Sequence, residues 1–385
     1  MLDLTKVAGQ VRGMAQVARE HEDGLRAKLK LASSLLSEGE WGKLAAKIRE
    51  SKTSWLTAQP TEQLTAVHSC PSVPNHFSVA ATDGSQITPD HHGPALCYLL
   101  NLGSVLIHYG SAERPKLSSE PSLYFEEADL YWEMNGKQVL VQGELLAAKR
   151  SELEAAGLEG LLRDCTGRRL VALEDGSLIK WNLEQGAEWQ EQILNRYLKT
   201  LSVARELRTP LCGYLSGSRA SDVINMLRVA LCPENPVNCD RCPYKEDAPC
   251  KQLDKVTDTT LFRRILRTKG ERSQVFTSSS RVLDRYGEHR VGFFYLNVGT
   301  EIARVELPAW VWQDTELLEL AHAVIVDQVN KGGGYPVVLT EAHEQAVVKG
   351  ADRDAFFRLV EGVFVRQGIP VLSSSKRIKK RVPTI

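Results

Sequence analysis

The chain has 385 residues, in which 48 Lys and Arg balance 48 Asp and Glu and 43% of the residues are apolar. This length provides for two domains, or for one large domain with additions. The formal net charge of zero excludes a general polyanion-binding protein, so nucleic-acid binding would depend on local basic patches. No stretch has the pattern of a signal peptide or of a membrane span, and we expect a cytoplasmic protein.

The N-terminal region has a helical pattern. Apolar residues recur at helical spacing from Val7 to Leu36, with charged residues between them. This pattern predicts either an amphipathic helical hairpin packed on the main domain or an arm that docks a partner or a second copy. Prolines between residues 60 and 74 then indicate a linker. We therefore predict a helical region with its linker at residues 1–70 and a second domain at residues 71–385.

Two near-identical motifs each follow a predicted buried strand. Asp83-Gly84-Ser85 is the first, and Asp175-Gly176-Ser177 follows roughly ninety residues later. Asp-Gly is a strong turn signal, and each motif taken singly is a turn. Together they predict two neighbouring strands that each end in a turn and present one carboxylate there. Paired carboxylates suit hard divalent cations, which prefer oxygen ligands.

A predicted helix at residues 143–162 precedes the second motif and carries Glu152 and Glu154. A helix that lies against a sheet can direct a glutamate toward the strand ends. The alternative is a solvated charge on the helix surface.

Two groups of arginines are candidates for binding phosphate. Arg219 follows a predicted strand that ends in a glycine-serine turn, where a guanidinium can hold a phosphate in a bidentate manner. The second group lies at residues 262–272 and includes Arg263, Arg264 and Arg267. Solvated surface positions are the alternative for both groups. The C-terminal basic run Lys376–Arg381 either binds nucleic acid or is disordered.

Four of the eight cysteines lie in the segment 231–251. They are Cys232, Cys239, Cys242 and Cys250. In a chain that we expect to be cytoplasmic, this spacing indicates metal binding rather than disulfide bonds. Four thiolates suit a zinc ion or an iron–sulfur cluster such as [4Fe-4S], and spacing does not separate the two. Because four protein ligands leave no open coordination position, we expect a structural role, with a redox sensor as the alternative.

A glycine run at residues 332–334 opens the last motif. It frees the backbone to approach a ligand, and Pro336 limits the predicted strand after it to an edge or a start position. His343 is expected to begin the next helix. A histidine there is either structural or, near carboxylates, completes a metal or phosphate site.

An ordered series of motifs resembles the NurA nuclease family. The series consists of the two Asp-Gly-Ser motifs, the turn at Arg219, Phe293–Leu296, Arg304–Pro308, and Tyr335-Pro336 followed by Ala342-His343. The resemblance runs from about Ser78 to Lys376. It implies an α/β fold with an RNase H-like mixed sheet flanked by helices, to which the N-terminal helical arm and the cysteine-rich insertion are additions.

The resemblance also implies an activity and partners. It implies a manganese- or magnesium-dependent DNA nuclease, a single-strand endonuclease and/or a 5′–3′ exonuclease, that acts in DNA end resection and double-strand break repair. The family works with a HerA-type hexameric ATPase translocase and is commonly a homodimer. A catalytically inactive RNase H-like module that regulates a translocase and an RNA-processing nuclease are the alternatives.

Site residues follow from the resemblance by position. Asp83 and Asp175 correspond to the family's two metal-binding aspartates, and Glu152 is the best match to its intervening glutamate, with Glu154 second. His343 corresponds to a late histidine that would bind the metal or the scissile phosphate, or move a proton. Tyr335 corresponds to a late tyrosine that would contact the strand near the cut.

Overall fold

The computed structural model describes residues 3–53, 55–91, 93–134, 136–183 and 188–370. The C-terminal basic run lies outside the described residues. Two compact units are interleaved along the chain. The first unit comprises Met1–Ser72, Gly176–Ile179 and Gly213–Val326, and the second comprises Val73–Asp175, Lys180–Cys212 and Asp327–Ile385. The predicted boundary near residue 70 would separate parts that fold independently. The two compact units do not test this, so the boundary stays a prediction.

The helices and strands of the described residues are as follows. The helices are α1 (Leu4–Glu38), α2 (Trp41–Glu50), α3 (Glu127–Leu130), α4 (Glu144–Asp164), α5 (Glu188–Glu206), α6 (Asp222–Leu231), α7 (Asp258–Ile265), α8 (Ala309–Trp312), α9 (Thr315–Lys331), α10 (Val337–Ala346) and α11 (Gly350–Arg366). The strands are β1 (Ala58–Pro60), β2 (Val67–His68), β3 (Phe77–Ile87), β4 (Tyr98–Tyr109), β5 (Lys116–Tyr124), β6 (Tyr131–Met134), β7 (Lys137–Leu140), β8 (Leu170–Asp175), β9 (Leu211–Leu215), β10 (Arg272–Ser273), β11 (Phe276–Ser278), β12 (Val291–Asn297) and β13 (Ile302–Pro308). Among these described helices, none has the length and apolarity that crossing a bilayer requires.

The second unit contains a mixed sheet in the order β8-β3-β4-β5. The strands β3, β4 and β5 form an antiparallel meander, and β8 pairs in parallel with β3. One face is covered by α4, where Gly157 lies against the side chain of Leu102 in β4. The other face is covered by α10, whose last carbonyls accept hydrogen bonds from Asn101. A meander followed by a helix and a strand parallel to the first strand is an RNase H-like arrangement, so the predicted fold class is confirmed.

The register between β3 and β8 aligns the two Asp-Gly-Ser motifs. Ser78 pairs with Leu170 and Ala81 pairs with Leu173, which is an offset of 92 residues (170 − 78). The two motif aspartates are separated by the same offset (175 − 83). Extending the register by two residues therefore sets Asp83 level with Asp175. Level residues on parallel strands direct their side chains to the same face of the sheet.

The turn predicted at Asp83-Gly84-Ser85 is wrong. Strand β3 continues to Ile87 and remains paired with β4 through these residues. Glycine is needed at position 84 because a Cβ there would lie 2.5 Å from Glu154 Oε1 and 2.7 Å from Arg150 Cγ. The residue therefore permits close packing of α4 and does not reverse the chain.

The first unit contains a second sheet segment, in the order β1-β11-β12-β13-β9 with β10 paired to β12 and β2. Its apolar core takes in the C-terminal half of α1 and also α2, through Leu29, Ala32, Leu36, Leu44 and Ile48. The N-terminal half of α1 differs, because Leu4, Val11 and Met14 are exposed. The predicted N-terminal helices are thus present. The C-terminal half of α1 and α2 belong to the core of the first unit, and the N-terminal half of α1 does not.

A buried ionic network connects β13 to α6 in the first unit. The side chain of Arg304 is 3% exposed, and its Nη1 lies 2.7 Å from Asp222 Oδ2 while its Nε lies 3.0 Å from Glu306 Oε1. Glu306 Oε2 also accepts hydrogen bonds from Ser177 Oγ and from the backbone N–H of Leu178. Burying charges is costly unless they are paired and hydrogen-bonded. These contacts assign Arg304 and Glu306 to the interior of the fold.

We predict an acid-sensitive contribution to stability from His322 in α9. Its Nε2 donates to the carbonyl of Gly270 at 2.7 Å, and burial lowers the pKa of His322 to about 4. Unfolded histidine has a pKa near 6.5, so the unfolded chain gains a proton between about pH 6.5 and 4 that the folded chain does not bind. Stability therefore falls as the pH drops through this window, by about 3 kcal/mol from this residue.

The measurement is urea unfolding at pH 7, 5.5 and 4.5 for wild type and for His322→Gln, whose amide nitrogen keeps a donor. The variant should lose less stability than wild type between pH 7 and 4.5. An identical pH dependence in the two proteins would contradict the prediction.

Candidate active site

Asp83 and His343 are in direct contact in the second unit. Alternation along β3 directs Asp83 to the face that α10 covers, and Asp83 Oδ2 lies 2.9 Å from His343 Nδ1. The other carboxylate oxygen accepts the backbone N–H of Gly84 at 2.8 Å. Ser85 donates to the carbonyl of Ala346 at 2.5 Å, which fixes the end of α10 on β3. The side chain of His343 is 59% exposed, so this contact is open to solvent.

Asp175 ends β8 and is exposed. The register sets it level with Asp83, on the face that also carries His343. The strand pairing, extended two residues past Ala81 and Leu173, therefore sets level two residues that lie 92 positions apart in the sequence. The second motif does turn the chain, as predicted, because Gly176 has φ +118 directly after the strand.

Glu154, rather than Glu152, packs against the motif strand. Residues two apart on a helix lie on different sides of it, so only one of the two can face the sheet. The backbone carbonyl of Glu154 accepts from Thr82 Oγ1 at 3.0 Å, and its carboxylate occupies the space beside Gly84. Glu152 instead lies near Tyr124, where its charge adds to the burial and to the Asp129 charge that raise the pKa of Tyr124.

The carboxylate of Glu154 sits in a place poor in water. Its side chain is 22% exposed. Burial, with smaller contributions from the charges of Glu174 and Asp83, raises the pKa of Glu154 to about 8 against the opposing effect of Arg150 and Lys180. The folded structure therefore holds several carboxylates together with incomplete compensation.

Glu174 is a site residue that the sequence analysis missed. It shares a small cavity with Glu154, bonds to Lys180, and accepts from Tyr197 Oη at 3.1 Å. The sequence feature that could have pointed to Glu174 is its position directly before Asp175. Alternation in β8 sends the two side chains to opposite faces, so Glu174 falls on the α4 face while Asp175 falls on the α10 face.

The donor set suits a divalent cation in its chemistry. Asp83, Asp175 and Glu154 supply carboxylate oxygens, which hard cations prefer. A cation would offset the desolvation, and the smaller repulsion from Glu174 and Asp83, that raise the pKa of Glu154. In the described part of the chain, no three His, Cys, Asp or Glu side chains are gathered in an arrangement that could hold a metal ion. These residues therefore suit a divalent cation by the chemistry of their side chains and by their neighbourhood in the fold.

The other predicted site residues lie as follows. Tyr335 is half-buried in the turn before α10. In the first unit, Arg219 and Arg263 line one pocket of about 250 Å³, and Arg264 and Arg267 are exposed but do not line it. The four clustered cysteines, also in the first unit, line one cavity together.

Comparison with known proteins identifies the family. The model of the NurA domain matches residues 77–348, which is more than two thirds of the chain. The chain belongs to the NurA domain family. The match begins at the first residue of β3 and extends past α10, so the NurA domain includes Asp83, Glu154, Asp175 and His343.

Solved structures show the fold of the NurA domain. The NurA nuclease from Sulfolobus solfataricus is 13% identical with a TM-score of 0.51, and the match covers 95% of this chain and 98% of that one. A second NurA crystal structure is 12% identical with a TM-score of 0.39, covering 86% of this chain and 96% of that one. Among curated protein sequences, none matches the chain.

We predict that Glu154→Gln stabilises the NurA domain. An unfolded glutamate has a pKa of about 4.3, so at pH 7.5 folding must either protonate Glu154 or bury its charge, and both cost stability. Glutamine is neutral in both states, so the free energy of unfolding should rise by about 1–2 kcal/mol, after allowing for the lost attraction to Arg150. Chemical denaturation measures the change.

The matched control is Glu152→Gln, which makes the same change two residues away on the same helix and should shift stability by less than about 0.5 kcal/mol. Destabilisation by Glu154→Gln, or equal effects of the two substitutions, would show that Glu154 is not strained by its surroundings.

Proposed function

We propose that the chain is a divalent-metal-dependent nuclease that hydrolyses phosphodiester bonds in DNA. Membership in the NurA domain family supports the proposal. The observation that supports it most directly is the parallel register of β3 and β8, which pairs Ala81 with Leu173 and, extended by two residues, sets Asp83 level with Asp175, while His343 Nδ1 lies 2.9 Å from Asp83 Oδ2. Two carboxylates and a solvent-exposed histidine on one face of a sheet form a set suited to binding a cation beside a phosphate.

The third carboxylate of the proposed site is Glu154. Glu152 is the better match in sequence position, but Glu154 lies beside Gly84 and interacts with Asp83. The desolvation of Glu154 also supports the assignment, because strongly perturbed carboxylates concentrate at functional sites.

The proposed cofactor is Mn²⁺ or Mg²⁺, held by Asp83 and Asp175 on the α10 face, with Glu154 approaching from the α4 face past the bare Cα of Gly84. When bound, such a cation lowers the pKa of a water and stabilises the charge that develops on the phosphate oxygens. Asp83 would contribute as a ligand and also as the partner that orients the ring of His343.

His343 and Tyr335 are the proposed polar contacts to the substrate. With Nδ1 held by Asp83, the Nε2 atom of His343 is the nitrogen left to bind the metal or the scissile phosphate, or to move a proton. Tyr335 lies in the turn that precedes α10 and would contact the strand near the cut.

The pocket that Arg219 and Arg263 line is the proposed contact for the DNA backbone. Hydroxyl groups of Ser218, Thr257 and Thr260 line the same pocket. Its carboxylate, Glu301, accepts from Ser216 Oγ and from the backbone N–H of Gly217. Two guanidinium groups with several hydroxyl donors suit a phosphate. Arg264 and Arg267 would add charge to the same surface.

The proposed biological setting follows the family. The chain would act in the cytoplasm, in DNA end resection and double-strand break repair, as a single-strand endonuclease or a 5′–3′ exonuclease, with a HerA-type translocase and as a homodimer. Exposed Leu4, Val11 and Met14 at heptad-like spacing on α1 support self-association. The mass of the full chain in solution tests the homodimer, and a monomer at micromolar concentration would remove it.

We predict metal-dependent cleavage of DNA by the purified full chain. Labelled single-stranded DNA, duplex DNA and RNA are incubated with Mn²⁺, Mg²⁺ or a chelator. Wild type should cut DNA only with a metal. Asp83→Asn, Asp175→Asn and Glu154→Gln should lower the rate by about 1000-fold or more, because each removes a ligand charge.

Glu152→Gln is the matched control for this panel and should keep wild-type activity. Cleavage of no substrate by wild type would point to an inactive module, and cleavage of RNA alone to an RNA-processing enzyme. Retained activity in Asp83→Asn would falsify the proposed site.

We predict that Arg263 contributes to DNA binding more than its neighbour Arg264 does. Affinity for single-stranded DNA is measured by fluorescence anisotropy over a salt series, with Asp83→Asn present throughout to prevent cleavage. Arg263→Ala should lower the slope of log K against log salt by about 1, because one phosphate contact is lost. Arg264→Ala removes the same charge outside the pocket and should have the smaller effect; the reverse order would contradict the pocket as the phosphate contact.

A further inference from the structure

The cysteine-rich segment surrounds one cavity in the first unit. All four clustered cysteines line it, namely Cys232, Cys239, Cys242 and Cys250. The remaining lining is largely apolar and includes Trp55, Val237, Tyr244 and two prolines. Four thiols that are spread over nineteen residues thus line one cavity, together with the carboxylate of Glu234, and in the described chain no three of these side chains stand in a ligating arrangement.

The same segment is bonded to the connection that follows α2. The backbone N–H of Lys52 donates to Val237 at 2.8 Å, and that of Cys239 donates back to Lys52 at 2.9 Å. Ser51 Oγ accepts from the N–H of Val237 at 3.0 Å. Lys47, within α2, donates to the carbonyl of Cys232 at 2.6 Å. A two-way backbone pairing of this kind joins the chain around Lys52 to the loop that presents the cysteines.

Trp55 and Arg228 join the chain after α2 to α6. Arg228 in α6 lies over the ring of Trp55, 5.5 Å from its centroid, and its Nη2 lies 2.5 Å from Asp254 Oδ1. Lys28 in α1 donates to the backbone carbonyl of Asp254 at 2.9 Å. The cavity is therefore bordered by α6, by the chain after α2 and by the end of the cysteine-rich segment.

We propose that the four cysteines bind a thiolate-ligated metal centre that fastens the connection after α2 to α6. Either a zinc ion or an iron–sulfur cluster has the required chemistry, since both take four thiolates. With all four positions filled by protein, the centre is structural and separate from the acidic site of the second unit. Because the four ligands come from one loop, the binding energy of the metal would add to the folding free energy of this segment.

The experiment uses the full chain purified without oxygen. Metal content per chain is measured by mass spectrometry together with the visible spectrum, and hydrogen exchange is followed in peptides that cover residues 47–55 and β3. Wild type should contain either about one zinc, or iron with visible absorption. Cys242→Ser, and separately Cys239→Ser, should lose the metal and should raise exchange at residues 47–55 at least about tenfold, while β3 is unchanged.

Cys70→Ser is the matched control, because Cys70 is an exposed cysteine outside the set. It should keep the metal and the wild-type exchange. If a variant fails to fold, the metal is removed from wild type by a chelator and then added back. Hydrogen exchange at residues 47–55 is compared between the two states. Wild type without metal would overturn the centre, and metal loss without faster exchange at residues 47–55 would overturn its fastening role. Manganese-dependent cleavage is assayed separately and should survive loss of the centre, so a failed nuclease assay does not bear on this inference.

Discussion

The parallel pairing of β3 with β8 is the constraint on which the candidate active site depends. The pairing offset equals the spacing of the two Asp-Gly-Ser motifs, so the register of one sheet sets the separation of two aspartates. A slip of one residue would turn one of the two side chains to the opposite face. The paired stretches Val79–Ala81 and Val171–Leu173 are buried and apolar, and each ends two residues before its aspartate.

Alternation along the same strands distributes the acidic groups between two faces. Asp83 and Asp175 belong to the α10 face, where His343 stands, and Glu174 belongs to the α4 face with Glu154. Because Gly84 has no side chain, the carboxylate of Glu154 can approach β3 directly beside Asp83. The result is a concentration of negative charge that the protein itself only partly balances, through Arg150 and Lys180. Such unbalanced charge is costly for folding and useful for holding a cation.

The sequence predicted the larger elements and the pair of aspartates. Long periodic helices and apolar strands are the clearest patterns, and the repeated motif pointed to neighbouring strand ends. The local turn signal misled at Gly84, where a glycine in a continuous strand accepts a helix. Gly103 in β4 has the same role, since a Cβ there would lie 2.4 Å from the carbonyl oxygen of Ala342. The strand expected after Pro336 is instead α10, because proline also suits a helix start and a short apolar run fits either structure. The choice between Glu152 and Glu154 depended on the rotation of α4, which no local pattern gives.

The order in which these parts occur along the chain has a consequence for biosynthesis. Strands β3, β4, β5 and β8 are all complete by Asp175, but α10, which covers one face of their sheet and carries His343, begins only at Val337. A ribosome must therefore translate most of the message before that face is shielded. A nascent or truncated chain that stops short of α10 exposes the backbone at Gly103 and lacks the partner of Asp83, so partial products are good substrates for chaperones or proteases.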